Sequence, residues 1–395
     1  MKFKKLLSLG LVLTLSICAL SACSQSASSG SASGKKVIKI GIFEPATGEN
    51  GGGGKQEADG VLYANEQMPT IEINGETYDI EIVNLDNKSD KTEAVNVANK
   101  FISEKVSCVI GSYGSGVSIA AGPIFEEAKI PAIGGSCTNP QVTEGNEYYF
   151  RVCFLDPFQG TVMANFAKQN GYKKAAVLTQ LGDDYSEGLG SYFKTAFKSA
   201  SLGGEIVAEE KFQTNATDFK AQLTNIKNSN ADFIFAPSSI TTAPLIIKQA
   251  RELGINAKIG AGDTWENGTI IDNAGKSAEG VVFSTFYDEN DVNATAEAKS
   301  FVPGFKEYLK KTNQPDIIPA VSALGYDAYL AAYKAIEKAQ STNGEKIKDA
   351  LKTISFDGVT GHISFDETGD AVKNTAYIKE INNGQFKFLT TTTIG

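Results

Sequence analysis

The sequence predicts an α/β fold of two doubly wound lobes, each built on a parallel sheet, joined by a multi-strand hinge. Three observations carry that expectation. Strand-like and helix-like segments alternate along most of the chain, the pattern of βαβ units whose parallel sheets are covered on both faces. The alternation breaks near Arg151 and then restarts, giving two series. The two series also rhyme, each holding a strand, a small hydroxyl-rich loop, a helix, a strand and a glycine-containing loop.

Ahead of the first series, Lys2, Lys4 and Lys5 precede an apolar run from Leu6 to Leu20, and Leu20-Ser21-Ala22 lead into Cys23. A basic start, a short apolar stretch and small residues at the cut describe a secretory signal over residues 1–22. The stretch is shorter than the roughly 20 apolar residues a spanning helix needs. Leu-Ser-Ala-Cys resembles the lipobox of bacterial lipoproteins. That likeness implies that Cys23 is lipidated and that the protein is extracytoplasmic, anchored to the bacterial cell membrane by lipid only. The plainer reading is an ordinary signal peptide with Cys23 as a bystander. Cys18 is a poorer candidate because the bulky Ile17 precedes it. From Ser24 to Gly34 the chain is nearly all Ser, Ala and Gly, so residues 23–36 read as the lipidated cysteine and a flexible linker.

The first series then runs in order. Lys36–Phe43 is a strand, Glu44–Lys55 a loop, Gln56–Gln67 a helix and Tyr78–Leu85 a strand. Asp86-Asn87-Lys88-Ser89-Asp90 suits a helix start, and a helix follows at Thr92–Lys105. Val106–Gly111 is a buried strand, Val117–Ala128 a helix and Ile130–Gly134 a strand. After Arg151 come a strand at Ala175–Thr179, a helix at Tyr185–Ala200, and a strand at Glu205–Lys211. A helix at Asp218–Asn228, a strand at Asp232–Ala236, a helix at Ala243–Leu253 and a strand at Lys258–Gly260 complete that series. Beyond it, a strand-like run at Gly280–Tyr287 and helices at Ala296–Thr312 and Ala323–Ala339 look like additions to the first lobe. Gly358–Gly361, Ile363–Phe365, Asn374–Ile381 and Gln385–Leu389 read as late strands. This order assigns residues 37–155 and 287–371 to one lobe, and 156–286 and 372–395 to the other. Two or three crossing strands permit closure while keeping the lobes aligned.

In open parallel sheets, ligands bind in the crevice outside the carboxyl ends of the strands. Four loops occupy such ends: those of Ser107–Ser115, Ile130–Ser136, Asp232–Ser239 and Lys258–Asp263. If the lobes face each other, these loops wall one cleft.

Composition removes several functions. The formal charge is −9, and removing the three signal lysines, with no acids among residues 1–22, leaves −12. An acidic surface argues against nucleic acid and against a broad basic contact with anionic lipid. His362 is the only histidine, so a histidine-based triad or a multi-histidine metal site has little to work with. No catalytic residue, metal or cofactor is therefore expected. Gly51–Gly54 before Lys55 fails as a phosphate loop, because its spacing puts Glu49 at the first glycine and Gln56 at the Ser/Thr position. Gly111, Gly114 and Gly116 fail as a dinucleotide loop, with Ile119 in the third glycine's place and no acid ending the next strand. Both clusters read as tight turns that let backbone approach a ligand. Cys108, Cys137 and Cys153 remain, an odd number, so at least one stays unpaired within the chain. They are either buried inert thiols or reactive ones.

The positive chemistry lies in the four loops. Ser115 sits just before a helix, where a hydroxyl and free N–H groups form an anion site favoured by the helix dipole. Ser136 and Thr138 offer donors in the neighbouring loop. Asp263 follows a strand through Gly262, next to Thr264 and Trp265. An anion site facing a carboxylate suits a zwitterion, an α-carboxylate with an α-ammonium. Each charge-assisted hydrogen bond contributes roughly 1.5–3 kcal/mol. Three or four, less ordering costs, reach the approximately 8 kcal/mol of micromolar binding. Tyr113, Tyr185 and Trp265 can wall the side chain. The plainer readings are a simple cap for Ser115, a solvated loop acid for Asp263 and lobe core for the aromatics.

The ordered motifs Ile40-Gly-Ile-Phe43 with Thr47-Gly48, Asp86–Asp90, Val109–Ser112, Ile130–Ile133, Phe150-Arg151, Asp183–Tyr185, Asp218-Phe219, Lys248–Ala250, Gly325–Ala328 and Gly358–Gly361 resemble the leucine/isoleucine/valine-binding type of ABC-importer binding protein. The likeness covers Val37 to the C-terminus. It implies the type I periplasmic-binding fold with three hinge strands, a monomer, and delivery of solute to a separate ABC permease. It also implies that Ser115 and Thr138-Asn139 belong to carboxylate loops. Ser136 and Thr138 would bind carboxylate or ammonium partly through backbone, Tyr185 would line the cleft and Asp263 would take the ammonium. Two departures bear on specificity. Gly53 stands where relatives with a bulky aliphatic ligand often have an aromatic, and Ser239-Ile240 where a tyrosine is common. The expected function is capture of a neutral or aliphatic amino acid. The alternatives are an amide, small carboxylate or signalling solute on the same fold, and a nicotinamide-dependent oxidoreductase.

Overall fold

The computed structural model describes residues 35–291 and 294–393; the signal segment and Cys23 lie outside the described residues. Strand β1 (Lys36–Glu44) shows why a parallel sheet forms. Ile38, Ile40 and Ile42 enter the larger apolar core, while Phe43 packs edge-on against Phe101 and Phe125 in a second one. Burial on both faces is what a strand between two helix layers requires. After β1 come α1 (Gly51–Gln67), β2 (Thr70–Ile73), β3 (Glu76–Asp86), α2 (Lys91–Glu104), β4 (Cys108–Ile110), α3 (Ser115–Glu127), β5 (Ala132–Gly134) and β6 (Tyr149–Arg151). These strands form a sheet in the order β2-β3-β1-β4-β5-β6, antiparallel only at β2–β3.

The second series comprises α4 (Asp156–Gln169), β7 (Lys174–Leu181), α5 (Asp184–Phe197), β8 (Glu205–Gln213), α6 (Lys220–Asn228), β9 (Phe233–Phe235), α7 (Ala243–Glu252), β10 (Lys258–Ala261), α8 (Gly268–Ala274) and β11 (Val282–Thr285). Helices α9 (Ala296–Lys311), α10 (Ala320–Ala339) and α11 (Gly344–Leu351) follow, then a ribbon of β12 (Ser355–Gly358) and β13 (Gly361–Ser364). A hairpin of β14 (Thr375–Asn382) and β15 (Gln385–Thr393) ends the described chain. The second sheet runs β15-β14-β11-β10-β9-β7-β8, parallel from β11 to β8 and antiparallel at β15–β14 and β14–β11. The protein is thus an α/β fold of two lobes. The chain passes between the sheets after Arg151, after Thr285 and after Ser364. The first and third passages run side by side, with Arg151 N–H donating to Gly369 O at 3.0 Å and Ala371 N–H to Arg151 O at 3.0 Å.

Several expectations change. The run at Gly280–Tyr287 joins the second sheet through β11 rather than adding to the first lobe. The segment expected as a loop to Lys55 is already helix from Gly51, because its glycines are contact surfaces rather than turns. A Cβ on Gly54 would lie 2.3 Å from Pro45 O. Gly358–Gly361 is the turn of the β12–β13 ribbon, not a strand. Asp327 of α10 shapes that turn, accepting from the N–H groups of Val359 at 2.6 Å and Thr360 at 2.8 Å and from the Thr360 hydroxyl at 2.7 Å. Two motifs far apart in sequence are therefore the two halves of one clamp. All three remaining cysteines are free and buried, and burial pushes the Cys108 and Cys137 thiols up to about 12, which makes them inert. No helix among the described residues is long and apolar enough to cross a membrane.

Candidate functional site

The loops at the carboxyl ends of β4, β5, β9 and β10 meet where the lobes face each other. Ser115 is the first residue of α3 and Gly114 its N-cap, so the serine hydroxyl does not cap the helix. Its Oγ accepts the Asn139 N–H at 3.2 Å, which leaves the O–H to donate. The first-turn N–H groups of a helix lack intrahelical partners and favour an anion. Thr138 is buried beside Ser115's partner Asn139, and its hydroxyl lies against the buried Asp156 carboxyl. Ser136 also reaches the cleft, with its hydroxyl and its backbone N–H both turned to Glu57, so what it keeps for a ligand is the accepting side of its hydroxyl oxygen.

Across the cleft, Asp263 leads a short 3-10 turn to Trp265 and is 4 % exposed. Its Oδ1 accepts from Gln159 Nε2 at 2.7 Å and from the Tyr185 hydroxyl at 2.9 Å. Burial pushes its carboxyl up to about 6 despite those donors. Trp265 is fully buried with an unpartnered indole N–H. Tyr113 donates its N–H to Glu44 Oε2 at 2.7 Å. A Cβ on Gly53 would fall 2.4 Å from the Tyr113 ring, so that ring fills the space a side chain at position 53 would take. The aromatic missing from α1 is supplied by the loop opposite it.

The sequence reading missed Glu44, Glu57 and Asp156, all buried. Burial raises each carboxyl, and the charge of Glu57 adds to the rise at Glu44. The Glu44 and Glu57 carboxyls face each other, and that of Asp156 lies against the Thr138 hydroxyl. A signal did exist. Glu44 ends β1 at the carboxyl edge, and Glu57 shares a helix face with Gly53, Gly60, Val61 and Ala64, all buried. Among the described residues, none of these acids nor Asp263 is ion-paired. The nearby guanidinium of Arg151 is spent on Asp370, on the carbonyls of Cys137 and Asn139 and on the Thr143 hydroxyl. Buried carboxylates without a buried base are costly until a cation reaches them.

The lobes touch around this centre. Asn139 Nδ2 donates to Asp184 O at 2.8 Å and Lys91 pairs with Asp184 at 2.7 Å. Gln180 Nε2 donates to Glu49 at 2.8 Å, and Ile240 N–H to Asn50 Oδ1 at 3.1 Å. The arrangement is closed. His362 lies on the β12–β13 ribbon between Ser355, at 3.1 Å, and Asp357, at 2.8 Å. That order is triad-like, but the Asp357 side chain is 70 % exposed, and water competes for the imidazole it would have to orient. Among the described residues no group of three or more His, Cys, Asp or Glu can hold a metal.

Two hinged α/β lobes closed over a buried set of polar groups define a two-lobed solute-binding protein. The family described as "Periplasmic binding protein" matches residues 37–385, and the chain belongs to that family. Among its relatives is the leucine-, isoleucine-, valine-, threonine-, and alanine-binding protein of Pseudomonas aeruginosa, 28 % identical over 84 % of this chain and 87 % of that one. The Leu/Ile/Val-binding protein homolog 1 of Brucella suis is 31 % identical with the same coverage. Among solved structures, the leucine binding protein LivK of Thermotoga maritima has a TM-score of 0.83 at 38 % identity, over 90 % of this chain and 99 % of that one. The substrate binding protein LivJ of Streptococcus pneumoniae, in complex with isoleucine, has a TM-score of 0.80 at 33 % identity, over 91 % and 99 %. The resemblance read from the motifs is the one these comparisons return, and they do not favour an oxidoreductase.

Proposed function

We propose that this protein captures a neutral aliphatic amino acid outside the cytoplasm and delivers it to an ABC permease, as a monomeric lipoprotein anchored through Cys23, without catalysis. Residues 37–155 with 287–371 form the first lobe, and 156–286 with 372–395 the second. The reading rests on one observation: Asp263 is buried and held only by the neutral donors Gln159 and Tyr185, so its charge is left for a ligand's ammonium. The ligand's carboxylate goes to Ser115, Thr138 and the start of α3, on the lobe opposite. Tyr113 and Trp265 wall the side chain. Ligand contacts to both lobes stabilise the closed form by their differential affinity for it. The names of the relatives, for leucine, isoleucine and valine, support the aliphatic choice.

Calorimetry with leucine and with isocaproate, its deaminated counterpart, tests this. Asp263→Asn is expected to weaken leucine about 10- to 100-fold, the loss of one charge-assisted contact, and isocaproate by less than about threefold. Equal losses for the two ligands would remove the ammonium from Asp263.

A further inference from the structure

We propose a second ligand site in the hinge, a cavity that takes a small monocarboxylate with an apolar body, paired to Lys373 Nζ and favouring the closed arrangement when filled. The cavity measures about 380 Å³ and is lined by residues of all three passages between the lobes, among them Phe154, Phe286 and Lys373. That volume lies within the roughly 300–1,000 Å³ of small-molecule sites. Phe154 and Phe286 meet with ring centroids 4.3 Å apart, which joins the first passage to the second and makes an apolar floor that Leu324 extends.

The polar end is equally defined. Lys373 Nζ donates to Thr360 O at 2.9 Å and to Thr360 Oγ1 at 3.1 Å, and it forms no ion pair among the described residues. Burial lowers its pKa, and the opposing influence comes from Asp327. Asp327 is itself engaged by Val359 and Thr360, so it supplies field rather than a partner. An ammonium at the edge of a cavity with an apolar floor and walls bearing the hydroxyls of Thr375, Thr391 and Thr393 attracts a carboxylate whose apolar body can lie on that floor. The acid on the lining, Asp291, accepts the Tyr377 hydroxyl and repels a second negative charge, which selects a monocarboxylate.

The placement gives such a ligand leverage. Closure of a hinged pair turns the backbone of the connecting segments. A body touching all three segments in their closed geometry holds them there, so its binding and that of the cleft ligand assist each other by one common factor. The site itself does not depend on which solute the cleft takes.

The test is calorimetry with phenylacetate, phenylacetamide and leucine on the full chain. Phenylacetate is expected to bind saturably at about millimolar concentration. Lys373→Met and the uncharged phenylacetamide should each weaken that binding about tenfold or more, and Asp263→Asn should leave it unchanged. Saturating phenylacetate should tighten leucine binding, and leucine should tighten phenylacetate by the same factor. No saturable binding, equal binding of acid and amide, or a loss caused by Asp263→Asn rather than Lys373→Met would overturn the site. If Lys373→Met does not fold, the comparison of acid with amide on the unaltered protein decides. An unchanged leucine affinity would overturn the link to closure.

Discussion

Asp263 carries its charge against its surroundings. Its carboxyl stands at about 6 in the closed protein, against roughly 3.9 in an unfolded chain. The folded form therefore holds a proton that the unfolded form has lost, and stability from this group declines as pH rises between those values. A ligand ammonium acts in the opposite sense, because it stabilises the ionised carboxylate. Leucine affinity should accordingly rise between about pH 5 and about pH 7 and level off above. Calorimetry in buffers of different ionisation enthalpy should register proton release at the lower pH and almost none at the higher. A flat affinity across that range would contradict the role given to Asp263.

At the scale of elements, α1 and α10 cross through glycine. A Cβ on Gly60 would lie 1.9 Å from Ser322 O, and one on Gly325 would lie 2.1 Å from Glu57 O. Each helix backbone fills the other's missing side chain, so Gly60→Ala forces the pair apart. The expected cost is about 1–3 kcal/mol, read as a lower urea midpoint at unchanged slope. The sequence shows some elements clearly and hides others. Strands β1, β7 and β10 are legible from β-branched and apolar runs with turn residues behind them. Helix α4 is not, because Asp156, Gln159, Val162 and Ala167 are buried around much of its circumference and leave little period to read. Strand β3 is read as Tyr78–Leu85, but its hairpin partner β2, joined to it at Asn74-Gly75, is missed because four residues resemble a loop. Ser115, Thr138, Tyr185 and Asp263, the residues proposed for the site, are read from the segments that follow strands, where polar residues stand out. Glu57 is passed over despite the small and apolar residues on its helix face, since an acid inside a helix reads as a solvated face until the opposing loop is in place.

For the whole molecule, direct contacts between the lobes at the rim hold the closed arrangement. Glu49 takes the Gln180 amide at 2.8 Å and the Asn215 N–H at 3.2 Å, both on the lobe opposite. Glu49→Ala removes the two contacts without entering the ligand centre. Ligand-free protein should then show a larger radius of gyration by small-angle scattering, and leucine should bind about three- to tenfold more weakly through faster release. Unchanged scattering with unchanged affinity would mean that the rim contributes nothing to closure.

The packing of α1 against α10 reaches beyond stability. The Ser322 hydroxyl donates to Gln56 O across 266 positions of chain. While the protein is being synthesised, α1 emerges from the ribosome long before the helix that covers it. Its core stays unfinished until most of the polypeptide exists, and long-range pairing of this kind is slow to form. The contact between α1 and α10 therefore closes late, once the distal helices have been made.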